Sequence, residues 1–343
     1  MRVAVVGAGV YGCTIAVELA RVGHAVDLYD SHRDLLHGAT RANQLRLHSG
    51  YHYPRSLSTA KAALMDARRF VARFPGTINR RNQQLYAIAA EGSLTSPDDY
   101  LRFCDMLGDQ HRVIKPPSFL QGVALCVVVP EAIINIVALR EQLRRELAAA
   151  GVHWHRDTLV DPDRLDHDQV VMATYGRGFP VPLRYEVTEV TRVDVAGWYA
   201  FRSIVILDGL FCSLDPIPIP GSGGHHLLYH VTHSVHAANT GLVADVPDHL
   251  APLLDQGLVP TQHSRFPAML EGTRQFLHHM DEATYLGSLF TIRAVLPYVD
   301  GTDERPTLIH RDGRVVHVLA GKVDGAVAAA ERVVDLASSM VAA

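Results

Sequence analysis

The chain opens on a short apolar run, Arg2 to Val6, that ends in Gly7-Ala8-Gly9-Val10-Tyr11-Gly12 and passes into a stretch of helical periodicity, Cys13 to Val22. Gly23 stands where a helix-terminating glycine belongs, and a second apolar run, Ala25 to Tyr29, ends at Asp30. The pattern predicts strand, tight turn, helix, strand. Residues 37–56, HGATRANQLRLHSGYHYPRS, then break it: they are dense in Arg, His, Asn and Tyr and lack the apolar run of a buried parallel strand. It resumes far downstream. Pro130 to Ala150 reads as a helix with Ile136, Leu139, Leu143 and Leu147 on one stripe and Gly151 closing it. His153 to Leu159, Gln169 to Thr174 and Val315 to Ala320 read as strands, and Gly325 to Val341 as an Ala- and Val-rich helix. A nucleotide-binding fold interrupted by other material follows.

Each residue type in the opening motif has a physical task. Gly7 allows the sharp turn out of the strand, Gly9 lets a pyrophosphate approach the backbone, and Gly12 lets the helix pack on the sheet. The helix N-terminus offers unpaired N–H groups and partial positive charge to phosphates. Asp30 sits where an acid accepts hydrogen bonds from an adenosine ribose, and it would repel a 2′-phosphate, which disfavours NADP.

Composition narrows the class. With 343 residues, 48% hydrophobic and 20% charged, the chain is neither disordered nor fibrous, and its length favours two domains or one with an insertion. A net charge of −4 without long blocks of either sign points away from nucleic acid and acidic membranes. Cys13, Cys104, Cys126 and Cys212 lie far apart, which fits a reducing cytoplasm. No signal-peptide core is visible, and the greasy stretch Val123 to Leu139 is broken by Pro130, Glu131 and Asn135. A soluble, cytoplasmic protein is expected.

The opening GAGVYGCTIAVELARVGHAVDLYD, the strand-plus-glycine VVMATYG and the closing RAVLPYVDGTDERPTLIHRDGRVVHVLAGK resemble the FAD-dependent oxidoreductase superfamily of D-amino-acid oxidase, glycine oxidase and sarcosine oxidase. The resemblance implies an α/β fold: a Rossmann-like FAD-binding domain, with a parallel sheet and helices, assembled from residues 1–74, 126–180 and 296–343. A substrate domain with a mixed or antiparallel sheet would take residues 75–125 and 181–295, where Leu183 to Val195, Tyr199 to Leu207 and His226 to Thr232 are strand-like. The cofactor set so implied is Gly7, Gly9, Val10, Tyr11, Gly12, Asp30, Ser31, Arg41, Asn43, Arg46, His48, Thr174, Gly176, Gly321, Lys322 and Val323.

The resemblance also places the segment after the second strand beside the flavin ring, and with it Arg46, His48, Gly50, Tyr51 and His52; the alternative is a self-bonded polar loop. In the histidine-rich stretch 223–233, period two separates His226, Leu228, His230 and Thr232 from His225, Leu227, Tyr229, Val231 and His233. Either Tyr229 or His230 could contact substrate, and zinc spacing is missing, so no metal is expected. Arg293, a charge in an apolar strand, needs an anionic partner. The family's usage implies a substrate carboxylate; an internal salt bridge to Asp300, Asp303 or Glu304 is the alternative. Lys322 would either face the pyrimidine end of the flavin or pair with Asp324 at the surface. No cysteine follows Cys212, so cysteinyl flavin attachment near the C-terminus is excluded. A histidyl link through His37 or His48 stays open, with non-covalent FAD the default.

The activity implied is hydride removal from a carbon bearing an amine or hydroxyl, in a small amine, amino acid or hydroxy acid, to flavin N5. The base is sought among His48, His52 and His230, and oxygen or an electron carrier reoxidises the flavin. A non-redox flavoenzyme such as a sugar mutase, and a non-catalytic flavin-binding protein, are the alternatives.

Overall fold

Val3, Ala4 and Val5 are fully buried, as a central parallel strand requires, and Arg2–Val6 is such a strand. In the computed structural model, which describes residues 1–108, 110–195, 197–218, 224–297 and 304–341, it pairs in parallel with Ala25–Tyr29 on one side and Gln169–Met172 on the other. His153–His155 extends the sheet beyond Ala25–Tyr29 and Val315–Leu319 extends it beyond Gln169–Met172, both in parallel. Leu308–Asp312 ends it as an antiparallel edge. Ile15 and Leu19 of helix Val10–Arg21 share one core with Leu139 and Leu143 of helix Ile136–Ala149 and with Val333 of helix Ala326–Val341.

A second, larger sheet lies beside the first. Strands Leu183–Asp194, Arg202–Leu207, Cys212–Pro216, His225–His230 and Thr284–Val295 belong to it, with Gln83–Ala89 and Val123–Val129. It is mixed: Arg202–Leu207 runs parallel to Gln83–Ala89, whereas the other named pairings are antiparallel. We propose that the two domains follow these two sheets, with one adjustment. Val123–Val129 pairs throughout with Gln83–Ala89, so the boundary falls after Val129 rather than at 126.

Several expected boundaries move for local reasons. The helix expected from Pro130 starts only at Ile136, because Asn135 caps it by accepting from the Val137 and Ala138 N–H groups. Ala132–Ile134 is instead a short strand between Arg46–Leu47 and Ile78–Asn79. The strand expected to reach Leu159 ends at His155, and the last helix follows a 3-10 turn, Val323–Gly325. Segment 37–56 contains only the two-residue strand Arg46–Leu47.

Arg46 ties this segment to the large sheet. Its Nε and Nη2 donate to the two carboxylate oxygens of Asp215 at 2.6 and 2.7 Å, and Ser203 Oγ also donates to Asp215. Both side chains are almost wholly buried. Burial opposes the guanidinium charge, but Asp215 more than offsets it and pushes the Arg46 pKa up. Removing one member of such a pair leaves a buried, uncompensated charge. Asp215→Ala is therefore expected to cost about 3–5 kcal/mol in chemical denaturation; a loss below about 1 kcal/mol would show that the pair is not a desolvated one.

Candidate active site

A cavity of about 2240 Å³ opens between the two sheets. Single-ligand pockets usually hold about 300–1000 Å³, so this one has room for a dinucleotide and a second molecule. Gly7, Gly9, Val10, Tyr11, Asp30 and Ser31 line it at one end, and Asn43, Arg46, His48, His52, Thr174, Gly321, Lys322 and Val323 also face it. Tyr229 and Arg293 come from the large sheet.

The nucleotide end is built by close approach. Gly7 has φ +103, and a Cβ there would sit 2.6 Å from the Ala173 carbonyl oxygen. A Cβ on Gly12 would fall 1.7 Å from the Gly7 oxygen, so only glycine lets the helix start this close to the turn. Gly9, by contrast, would meet only Thr40 Oγ1, at 3.4 Å: its missing side chain leaves open space on the cavity side. Asp30 accepts the Ala8 N–H at 2.6 Å through Oδ2 and the His32 N–H at 2.7 Å through Oδ1. Oδ1 also faces His32 Nδ1 at 3.0 Å, whereas Oδ2 keeps acceptor capacity for a ribose hydroxyl. This donor set and the open cradle at Gly9 fit FAD. Tyr11 Oη donates to the Lys322 carbonyl at 2.6 Å and so joins the opening helix to the start of the last one.

On the wall formed by segment 37–56, buried Glu131 gathers donors. Tyr86 Oη and the Ser49 N–H donate to it at 2.6 and 2.7 Å, and His48 Nδ1 lies at ion-pair distance, 3.6 Å. Burial alone would raise the Glu131 pKa, but these groups together hold it below the usual value. The His52 ring lies 5.0 Å from that of His48 and 6.1 Å from that of Tyr86. Burial, with His48 and Arg46 nearby, pushes the His52 pKa well below the ordinary histidine value, and its Nδ1 has no partner among the described residues. His52 lines the cavity. Lys322 Nζ stands 5.6 Å from the Tyr53 ring centroid. Asp324 is buried, not at the surface, and burial pushes its carboxyl up to about 6 against the pull of Lys322 and His48.

Across the cavity, Arg293 and Glu186 are directly opposed in the antiparallel register of Thr284–Val295 and Leu183–Asp194. Arg293 Nε donates to Glu186 Oε2 at 2.7 Å, and Nη2 donates to the same oxygen. Arg184 Nε takes Oε1 at 2.9 Å. Burial opposes the Arg293 charge, but Tyr229 and Glu186 raise its pKa above the ordinary value. The internal partner is thus Glu186, not Glu304; Asp300 and Asp303 lie outside the described residues. Arg184, Arg293 and Arg305 face the cavity with Glu186, which leaves this wall positive.

Other expected site residues lie elsewhere. His230 points away from the cavity, beside Gly272, whose Cβ would meet its Nε2 at 2.3 Å; burial and His233 lower its pKa to about 4. Tyr51 borders a separate cavity of about 480 Å³. Arg41 does not line the cavity; it donates to the carbonyls of Leu254, which does, and of Gln256. Gly12 and Gly176 act by packing: a Cβ on Gly176 would meet Ala294 at 2.7 Å. Glu131, Glu186 and Asp215 were not foreseen as site residues. Glu131 did carry a signal, a lone acid inside an apolar stretch.

A sequence model of FAD dependent oxidoreductases matches residues 2–275. The chain belongs to this family. FAD is its cofactor and it is an oxidoreductase, which sets aside the non-redox and non-catalytic alternatives. Among relatives, FAD-dependent monooxygenase FPY4 of Fusarium mangiferae is 26% identical over 97% of this chain and 90% of its own length. FAD-dependent monooxygenase kojA of Aspergillus flavus is 25% identical over 98% and 85%. Glycine oxidase from Geobacillus kaustophilus superposes with a TM-score of 0.69 at 17% identity, over 98% of this chain and 95% of that one. L-proline dehydrogenase from P. horikoshii gives 0.68 at 13%, over 98% and 93%. These two show the shared fold. Among the described residues no helix is long and apolar enough to cross a membrane.

Because Gly9 has ordinary φ and open space, Gly9→Val is expected to fold with an unchanged circular-dichroism spectrum yet purify without flavin colour. A fully yellow variant would contradict a pyrophosphate at Gly9.

Proposed function

We propose that this oxidoreductase removes two electrons and a proton from a carbon bearing an amine or hydroxyl, in a small substrate that also carries an anionic group. The observation behind this reading is the positive wall of Arg184, Arg293 and Arg305 beside Tyr229 on the same cavity as the dinucleotide turn. A guanidinium recognises a carboxylate with paired donors, and Arg293, held by Glu186 through its Nε and Nη2, is fixed in orientation before substrate arrives. FAD, bound non-covalently, supplies the acceptor for the hydride at N5.

The chain's own residues divide the remaining work. The turn Gly7–Gly9 and the start of helix Val10–Arg21 hold the pyrophosphate, and Asp30 the ribose. Lys322, at the entry to the last helix and on the cavity lining, would supply a positive charge to the bound cofactor. His52, which lines the cavity and whose pKa burial lowers, takes the proton from the substrate nitrogen or oxygen. Glu131, acting through His48, positions this group rather than touching substrate.

The relatives' names favour a second reading, in which one atom of O2 enters the substrate and the other leaves as water, with two electrons and two protons supplied by a separate reductant of the reduced-nicotinamide class. Anaerobic titration of the purified protein with amines, amino acids and hydroxy acids separates the outcomes. Bleaching of the oxidised flavin bands by an acid-bearing compound is expected. In air, one hydrogen peroxide per turnover without oxygen-18 from O2 in the product supports oxidation alone, whereas label in the product supports monooxygenation. A flavin that none of these compounds bleaches contradicts the proposal.

Two variants test the roles. Arg293→Leu is expected to raise KM for the acidic substrate more than tenfold while flavin content holds; unchanged KM would return Arg293 to a structural pair. With a hydroxy acid, the acid limb of kcat/KM is expected well below pH 6.5, because the lowered His52 pKa keeps the base unprotonated through neutrality. A limb at or above 6.5 would exclude His52 as the base.

A further inference from the structure

The open edge of the nucleotide sheet carries a set of donors that the redox site does not use. His153–His155 is the edge strand, paired in parallel with Ala25–Tyr29 so that Asp27 lies opposite His153 and Tyr29 opposite His155. Period two then puts Asp27, His153 and His155 on one face. His155 Nε2 lies 2.7 Å and His153 Nδ1 3.6 Å from Asp27 Oδ1, and the three donor atoms all fall within 4.8 Å of one another. His167 Nε2 holds the other carboxylate oxygen at 3.0 Å.

The rings are set by packing. His155 stacks on Tyr29 with centroids 4.4 Å apart and planes 9° off parallel, and His167 meets the same tyrosine edge-on. His167 is nearly buried, whereas the His153 side chain is 86% exposed, so the cluster has an orienting group inside and an access route outside. His155 and His167 each hydrogen-bond one oxygen of Asp27, whereas His153, at 3.6 Å, does not.

We propose that Asp27, His153 and His155 bind one divalent transition-metal ion of the zinc class, with His167 orienting Asp27 and water completing the shell. Two imidazole nitrogens and a carboxylate oxygen suit zinc and its neighbours over magnesium or calcium, which take oxygen shells. Tetrahedral zinc with bonds of about 2.0–2.2 Å needs ligand atoms about 3.4 Å apart. The observed 2.7 and 3.6 Å separations from Asp27 Oδ1 bracket that value, and the two nitrogens lie within 4.8 Å of each other. The ion would clamp a three-residue edge strand to its neighbour. It would also brace Asp30, whose N–H donates to the His155 carbonyl at 3.1 Å.

His32, His37 and Asp255 form another donor set on the cofactor cavity, so stoichiometry alone cannot assign the ion. Zinc binding to the FAD-loaded protein, measured by competition with a chromogenic chelator, is expected to show a site that His153→Ala and His155→Ala each weaken at least tenfold. His167→Gln, which is no member of the ligand set but alters the group that holds the second oxygen of Asp27, is expected to weaken it about tenfold or more. Zinc should raise the melting temperature of the wild type and not that of His153→Ala, an exposed position whose loss leaves the fold intact. Zinc affinity unchanged in both alanine variants, or no zinc binding at all, would overturn the assignment.

Discussion

A guanidinium taken out of water must meet a carboxylate, and the organisation of this molecule turns on where that requirement is met. Arg46 reaches from a segment with almost no regular structure to Asp215 on the large sheet, and both are sealed from solvent. The pair holds the irregular segment 37–56 against the sheet without a continuous ladder of backbone hydrogen bonds. Two residues on, His48 comes within ion-pair distance of Glu131, and His52 and Tyr53 are placed beside it. Further along, the Ser49 N–H donates to Glu131 at 2.7 Å and Arg55 Nε to Asp208 at 2.8 Å, which fix the rest of its path.

The cavity is consequently a composite. One end is backbone, drawn close by glycines and capped by Asp30; the opposite end is charge, drawn from two long antiparallel strands in register. The division suits a two-component reaction. The nucleotide end needs close approach and N–H donors, whereas the substrate end needs fixed positive charge and a nearby unprotonated base. Pairing Arg293 with Glu186 costs it some net charge but fixes its orientation, a trade that favours discrimination over raw attraction.

What could be read in advance follows the same split. The opening strand, turn, helix and acid were legible because each constraint there is local: a close turn at Gly7, a helix packed against it at Gly12, a carboxylate at the end of the next strand. The separated strands Gln169–Met172 and Val315–Leu319 were legible from their apolar runs. The partners of buried charge were not, since Asp215 is 169 residues from Arg46 and Glu186 is 107 from Arg293, and only tertiary register brings them together. Alternation correctly put Tyr229 and His230 on opposite faces, but which face met the cavity depended on the helix Phe266–Arg274 packing behind His230. The helix starts at Ile136 because Asn135, a polar residue that breaks the apolar stretch, is its cap.

The central claim is that the positive wall and the cofactor face each other across one cavity. Titration of the oxidised holoprotein with simple unreactive carboxylates, followed through the flavin absorption bands, tests it most directly. A saturable perturbation of those bands is expected in the wild type, lost in Arg293→Leu. An unperturbed flavin, or a perturbation that survives intact in the variant, would contradict it.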